Sequence, residues 1–221
     1  DAGSCTAVVN WNSPTASDNC GVTSFPSTHS SGDTFALGST TVSYSAQDGA
    51  GNAVTAFFTV TITDNEAPTI SGLPANIDVN TDAGSCDAVV TWTEPTADDN
   101  CNVASFTTDV PNGSTFSPGT TTVTYTATDD AANQTTGSFT VTVTDNEPPS
   151  LSGMPSNITV NSDAGTCGAV VNWTAPTASD NCSVLLTSSH NSGATFTAFS
   201  GGVTTVTYTA THFDINGNES E

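Results

Sequence analysis

The chain has 221 residues, no lysine or arginine, and 22 aspartates and glutamates, which together give a net charge of −22. Without cationic side chains it cannot neutralise phosphate, which excludes nucleic-acid binding and attraction to an anionic membrane. Direct membrane insertion is excluded because no apolar run reaches the length of a membrane span. The carboxylates also lack basic partners, so a divalent cation is the expected counterion. The alternative is that acidity only keeps the surface soluble.

The sequence repeats itself every 81 residues, and Trp11, Trp92 and Trp173 occupy one repeated position. Alternating apolar and polar residues predict β-strands, and the intervening clusters of Pro, Gly, Asn and Asp predict turns. No stretch shows a helical period. In chain order, the strands predicted in the middle repeat cover 76–79, 88–92, 103–108, 121–127 and 138–143.

Several short strands per repeat, with a Trp on one strand and a Tyr on a late strand, predict an all-β fold of tandem immunoglobulin-like β-sandwich modules. The predicted repeats cover 1–64, 65–145 and 146–221. The first repeat lacks its first strand and the third lacks its last, so the sequence predicts a segment of a longer protein. The third repeat departs from the period, because Phe116 and Phe196 are 80 positions apart and Tyr125 and Tyr208 are 83 apart. Its final turn reads THFDINGN, where His212 is predicted to be a solvated loop residue. We predict no catalytic residue, because a tandem array is typical of spacing or multivalent contact.

Cysteines fall as one pair per repeat, and the two members of each pair are 15 positions apart. An even number at fixed spacing predicts a disulfide framework and an extracellular protein, either secreted or on a cell surface. Close cysteine pairs and HxxxH are both absent, which argues against a cysteine zinc site. The intra-repeat pairs are Cys5 with Cys20, Cys86 with Cys101, and Cys167 with Cys182.

Each repeat carries G-x-C-x-A-V-V-x-W-x-x-P-x-A-x-D-N-C, and a later segment reads F-T-V-T-[VI]-T-D-N-E-x-P. This combination resembles the hyalin repeat (HYR) module, an immunoglobulin-related extracellular domain, over essentially the whole chain. The resemblance implies a role in cell adhesion or extracellular matrix, or in very large bacterial surface proteins. Many members have a further disulfide that is absent here. Leu73 and Met154 stand at one of its cysteine positions, and Ala56 and Gly137 lie near the other.

The retained cysteines can be connected in two ways. The intra-repeat pairing is favoured, but an extended strand over 86–93 spans about 23 Å at ~3.3 Å per residue. A disulfide needs Cα atoms within about 7 Å, so segment 94–100 would have to fold back along the strand. The alternative connects neighbouring repeats, with Cys5 bonded to Cys101 and Cys86 bonded to Cys182.

Acidic residues gather at the linker, the D-N-C loop and the late turn of each repeat. In an immunoglobulin-like array the linker of one module should meet the loops of the next, and calcium binds six to eight oxygens of this kind. The alternative is that D-N-E-P is only a turn. The predicted ligands are Asp64, Asn65, Glu66, Asp98, Asp99, Asn100 and Asp129 at one junction, and Asp145, Asn146, Glu147, Asp180, Asn181 and Asp214 at the next.

These patterns predict a structural and adhesive array in which calcium stiffens a stalk or fibre. Its expected partners are neighbouring repeats of the same protein and a cell-surface protein or glycan receptor. One alternative is a self-assembling filament, a homopolymer whose subunits pair through donated strands. Another is a binding module attached to a secreted enzyme, but the three Trp residues lie at one repeated core position and provide no exposed aromatic platform.

Overall fold

The computed structural model of this protein describes residues 1–197 and 202–213, and the regular secondary structure there is β-strand. This confirms the predicted all-β fold of tandem repeats. None of the described residues belongs to a helix long and apolar enough to cross a membrane. The chain forms two compact units, and the second repeat contributes to both. The first unit contains Asp1–Leu73, Glu94–Asp109 and Thr124–Ser138, and the second contains Pro74–Thr93, Val110–Val123 and Phe139–Glu221.

The first repeat lies in the first unit. Its strands are β1 (Thr6–Val8), β2 (Val22–Ser24), β3 (Thr34–Ala36), β4 (Gly38–Asp48) and β5 (Ala53–Ile62). β1 pairs with β3, and a second sheet has the order β2-β4-β5. Because successive side chains of a strand point to opposite faces, Val42, Tyr44 and Val60 bury together with Phe35. Trp11 closes this core, and its indole N–H donates to the Tyr44 hydroxyl at 2.8 Å.

The second repeat supplies eight of the described strands. A four-stranded sheet has the order β10-β12-β13-β7, in which β7 runs parallel to β13, while β8 pairs with β11 and β6 with β9. In chain order these strands are β6 (Thr69–Ser71), β7 (Ile77–Asn80), β8 (Ala88–Val89), β9 (Thr96–Asp98), β10 (Val103–Thr108), β11 (Thr115–Phe116), β12 (Gly119–Asp129) and β13 (Gln134–Thr144).

The predicted strands of this repeat are present, with changed boundaries. The prediction at 103–108 coincides with β10, whereas β12 and β13 extend further than expected and β8 retains only two of the five predicted residues. Three short strands were missed, β6, β9 and β11. Strands of two or three residues show no measurable alternation, and β9 lies in a TEPTADDN segment whose composition indicated a turn.

The third repeat is described by six strands that form three antiparallel pairs: β14 with β16, β15 with β18, and β17 with β19. Asp214, a predicted calcium ligand, lies outside the described residues. The strands are β14 (Ser150–Ser152), β15 (Gly168–Val171), β16 (Thr177–Ser179), β17 (Ser183–Ser188), β18 (Ala194–Thr197) and β19 (Tyr208–Phe213).

His212 lies in β19, so the prediction that it is a solvated loop residue is wrong. It pairs with Val184 of β17, and its side chain is 12% exposed. The physical reason is that the departure from the 81-residue period occurs before β19. Within the strand, His212 lies four positions after Tyr208, as Asp129 lies four positions after Tyr125.

The disulfides connect neighbouring repeats, so the favoured intra-repeat pairing is wrong and the alternative is confirmed. Cys5 is bonded to Cys101 and Cys86 to Cys182, with the two Cα atoms 4.7 Å apart in each bridge. Cys20 and Cys167 are exposed free thiols.

The register of the first repeat shows why Cys5 cannot reach Cys20. Thr6, next to Cys5, pairs with Ala36 beside the start of β4. Val22, two residues after Cys20, pairs with Asp48 at the other end of β4. A strand of this length spans about 33 Å at ~3.3 Å per residue, which is several times the reach of a disulfide. The chain between the two cysteines runs along the module and does not fold back.

The Leu73 side chain packs against Gly137 where the HYR resemblance implies a second disulfide. A Cβ atom added at Gly137 would collide with the side chain of Leu73. Leu73 therefore occupies the space beside the Gly137 backbone, and a larger residue at position 137 would force Leu73 to move. At the positions where the HYR resemblance implies two cysteines, a small residue thus faces a bulky apolar one.

Candidate metal sites at the repeat junctions

Each compact unit contains one junction between consecutive repeats. A junction consists of the D-A-G-S-C loop and the D-N-E linker of one repeat, together with the D-N-C loop and the strand end that carries Asp129 or His212 in the next. The disulfide joins the two loops. We call the junction at Cys5 and Cys101 the first junction, in the first unit, and the junction at Cys86 and Cys182 the second junction, in the second unit.

The linker is both a turn and an acidic cluster. Asp64 accepts a hydrogen bond from the Glu66 amide at 3.2 Å, and Asp145 accepts the equivalent bond at 3.0 Å. The glutamate carboxylates are exposed and reach back to the D-A-G-S-C loop, where Glu66 accepts from the Gly3 amide and Glu147 from the Gly84 amide. The two interpretations of D-N-E-P are therefore compatible.

Two aspartates from consecutive repeats meet at the first junction. Oxygens of Asp64 and Asp99 and the sulfur of Cys101 lie within 4.8 Å of one another. The sulfur belongs to a disulfide and offers no thiolate. One oxygen of Asp99 accepts from the amides of Cys101 and Asn102. Its other oxygen, Oδ1, and Oδ1 of Asn100 are buried and accept no hydrogen bond from the described residues.

Asp129 acts on the linker through a neighbouring side chain. Its carboxylate is 3% exposed and accepts from the backbone amide and the carboxamide of Asn133, both at 2.7 Å. The same carboxamide donates to the backbone carbonyls of Asp64 at 3.4 Å and Glu66 at 3.3 Å. Asp129 thus positions the Asn133 carboxamide that binds the linker, and it does not join the cluster of Asp64 and Asp99.

The remaining predicted ligands lie apart from these clusters. Asn65, Asn146 and Asp98 are exposed, and Asp98 belongs to β9, where it pairs with Thr69. The structure therefore brings together Asp64, Asp99 and Asn100 at the first junction, and Asp145, Asp180 and Asn181 at the second.

The second junction contains a histidine that the sequence analysis did not predict as a ligand. Nδ1 of His212 lies 3.3 Å from Oδ2 of Asp145 and 3.8 Å from Oδ2 of Asp180. The side chain of Asp145 is 7% exposed and that of Asp180 is fully buried. Neither oxygen of Asp180 accepts a hydrogen bond from the described residues, and the same holds for Oδ1 of Asn181.

Asp145 is held in its charged form by its neighbours. Burial raises the pKa of this carboxyl, but hydrogen bonds from the Glu147 amide, the Asn181 carboxamide and His212 outweigh burial and leave the pKa below its usual value. The Asn181 carboxamide donates at 3.2 Å and also donates to the Ser85 carbonyl of the preceding repeat at 2.9 Å. An ionised carboxylate is the form that binds a cation.

The modules are β-sandwiches that carry the repeated cysteine and tryptophan pattern. They are joined by two disulfide-linked junctions with acidic clusters, an arrangement that defines a tandem array of extracellular-type modules. The model of the HYR domain family matches residues 1–62, 63–143 and 144–221. The chain belongs to the HYR domain family. This confirms the resemblance that was drawn from the sequence motifs.

The chain is also similar to proteins named hyalin from two organisms. It is 38% identical over 231 aligned residues to hyalin of Strongylocentrotus purpuratus, covering the whole of this chain and 19% of that protein. It is 36% identical over 207 residues to hyalin of Lytechinus variegatus, covering 90% of this chain and 38% of that protein. The chain thus spans well under half the length of these relatives.

Among solved structures, the chain has a likeness to extracellular cadherin domains 1–4 of protocadherin gamma B7. The sequence identity is 15% and the TM-score is 0.30, over 90% of this chain and 65% of that one. A second protocadherin gamma B7 structure, of domains EC3–6, gives a TM-score of 0.29 at 16% identity, over 79% of this chain and 57% of that one.

Proposed function

We propose that this chain is a structural and adhesive part of an extracellular array, in which a disulfide and a calcium ion stiffen the first junction. The proposal rests on the close approach of the half-buried carboxylates of Asp64 and Asp99, which come from consecutive repeats. Membership in the HYR family and similarity to hyalins support the structural role and the extracellular location. In this role the array holds an adhesive surface away from the cell. That surface would contact a protein or glycan receptor.

The chemistry of the first junction supports calcium in particular. Asp99 Oδ1 and Asn100 Oδ1 are buried oxygens that accept no hydrogen bond within the described part of the chain, and leaving such oxygens unpaired is costly. Calcium binds carboxylate, carboxamide and carbonyl oxygens in a flexible geometry. Because the chain has no lysine or arginine, no basic side chain is available to satisfy these oxygens in its place.

Calcium should raise the stability of metal-stripped protein in an Asp99-dependent manner. With a Kd of roughly 0.1 mM, as in extracellular calcium modules, about 10 mM calcium stabilises the folded state by about 2.7 kcal/mol. Asp99→Asn is expected to remove most of this gain. Urea unfolding of each protein with and without calcium measures it.

Asp18→Asn is the matched control for the calcium experiment. Asp18 occupies the same repeat position and makes the same local bond, to the Cys20 amide at 2.7 Å, but it is exposed and belongs to no acidic cluster among the described residues. Its substitution should leave the calcium response intact. Equal unfolding curves with and without calcium would rule out the calcium site.

A second candidate function, covalent end-to-end assembly, is favoured by the two free thiols. Cys20 corresponds to Cys101 and Cys167 corresponds to Cys86, both of which are bridged between repeats. Cys20 of one molecule and Cys167 of another are therefore complementary halves of a further junction. Exchange with an oxidised small-molecule disulfide would form this bond and release two reduced thiols.

Mixing two cysteine variants tests this assembly. In a glutathione redox buffer the unmodified chain should give a ladder of multimers on non-reducing gels. Cys20→Ser alone and Cys167→Ser alone should each stay monomeric, and an equal mixture of the two should stop at the dimer. A dimer of either single variant alone would show that the free thiols pair with their own kind and would contradict head-to-tail assembly.

A further inference from the structure

The two junctions are built alike, but one strand of the later repeat carries a different residue at each. In the second repeat Val103 pairs with Asp129, and in the third repeat Val184, 81 residues later, pairs with His212. His212 therefore stands where the preceding repeat has an aspartate. A carboxylate that accepts hydrogen bonds from Asn133 at the first junction is replaced by an imidazole that faces two carboxylates at the second.

The separation of the three side chains fits ligands of a tetrahedral ion. Zinc binds histidine nitrogen and carboxylate oxygen at about 2.0–2.2 Å, so neighbouring ligand atoms lie about 3.3–3.6 Å apart. Nδ1 of His212 is 3.3 Å from Oδ2 of Asp145 and 3.8 Å from Oδ2 of Asp180. All three donor atoms lie within 4.8 Å of one another, so small side-chain movements would bring them to ligand distance.

The burial of Asp180 provides a second, independent indication of a cation. Its side chain has no exposure, and both of its oxygens lack a hydrogen bond from the described residues. A buried carboxylate without compensation is expensive, and the chain has no lysine or arginine to provide it. A doubly charged ion held between Asp145 and Asp180 would offset this cost.

We propose that His212, Asp145 and Asp180 form a zinc site at the second junction, chemically distinct from the calcium site of the first. The imidazole nitrogen decides the class of ion, because calcium takes oxygen ligands whereas zinc takes nitrogen and oxygen together. Three protein ligands leave the fourth tetrahedral position for water. The ligands come from the linker of one repeat and the loop and strand of the next, so zinc would fasten these segments together beside the Cys86–Cys182 bridge.

Titration calorimetry of metal-stripped protein with zinc chloride tests the site. The free thiols are removed first by Cys20→Ser and Cys167→Ser, so that thiolates do not bind the metal. We expect one zinc per chain with micromolar or tighter affinity. His212→Ala should weaken binding by more than about 100-fold, since the loss of even an outer-shell partner costs 10–100-fold.

His190→Ala is the matched control, because His190 is in the same repeat and its ring contacts Ser189 and Phe196, away from the carboxylates. It should bind zinc as the parent does.

His212→Asp restores the aspartate of the preceding repeat and should weaken zinc binding while it strengthens calcium binding. No zinc binding by the parent, or unchanged zinc affinity in His212→Ala, would overturn the proposal. The zinc affinities of these variants do not depend on Asp99. A negative result for zinc would therefore leave the proposed calcium site of the first junction unaffected.

Discussion

Replacing Cys101 with serine is expected to cost about 4–5 kcal/mol of stability, whereas replacing Cys20 should cost almost nothing. The two residues occupy the same position in consecutive repeats, but only Cys101 is bridged. Its disulfide closes a loop with a sequence separation of 96 residues. In the chain-entropy model a loop of about 100 residues is worth about 4.7 kcal/mol.

The comparison requires unfolding curves at fixed metal concentration, after peptide mapping has confirmed the remaining bridge. Cys86→Ser and Cys167→Ser form a second matched pair at the other repeated cysteine position, with the same expected contrast. Equal losses within a pair would mean that the free thiol is bridged in solution. A small loss for Cys101→Ser would mean that the contacts of Glu66 and Asn133 hold the repeats together without the disulfide.

A structural consequence of this bridge pattern is that the unit of stability is larger than the unit of sequence repetition. Each disulfide spans a junction, and each compact unit contains one junction with parts of the second repeat. The hydrogen bonds from Asn133 to the linker and from Asn181 to Ser85 cross the same boundaries. The free energy of one repeat therefore depends on its neighbour.

Local patterns in the sequence predicted the strands well because alternation reflects a single buried face. This holds for β12 and β13, whose inward residues form the core. The disulfide pairing depends on how far the chain travels between cysteines. Spacing along the sequence could not reveal that Cys5 and Cys20 lie at opposite ends of β4, although the estimated length of strand 86–93 already argued for the inter-repeat bridge.

The candidate sites were predicted in part, for a similar reason. Asp64, Asp99 and their counterparts were found because the acidic motif recurs with the period. His212 was missed because the third repeat leaves the 81-residue period before β19. Counting four residues from Tyr208, rather than 81 from the preceding repeat, would have aligned it with Asp129. Tyr208 is the better reference point because its hydroxyl accepts a hydrogen bond from the Trp173 indole at 2.6 Å.

Phe139→Ala is expected to cost about 3–5 kcal/mol, the range for removing a buried phenylalanine. Phe139 is 3% exposed, and its ring packs edge-on against Trp92 with the ring centroids 5.2 Å apart. β7 runs alongside the later residues of β13, so this strand is flanked on both sides. Truncation would leave a closed cavity beneath Trp92, which neighbouring side chains could fill only by losing their own contacts.

Phe58 is the matched position in the first repeat, and its truncation should cost less than half as much. It makes the same edge-on contact with Trp11, at 5.3 Å, but it is 37% exposed, and β5 has no second strand partner among the described residues. Water already reaches this ring, so removing it leaves an open groove and less apolar area is lost from burial. Urea unfolding followed by tryptophan fluorescence compares the two. Equal losses would show that Phe58 is covered in solution by a further strand, which is the arrangement that β7 provides for β13 in the second repeat.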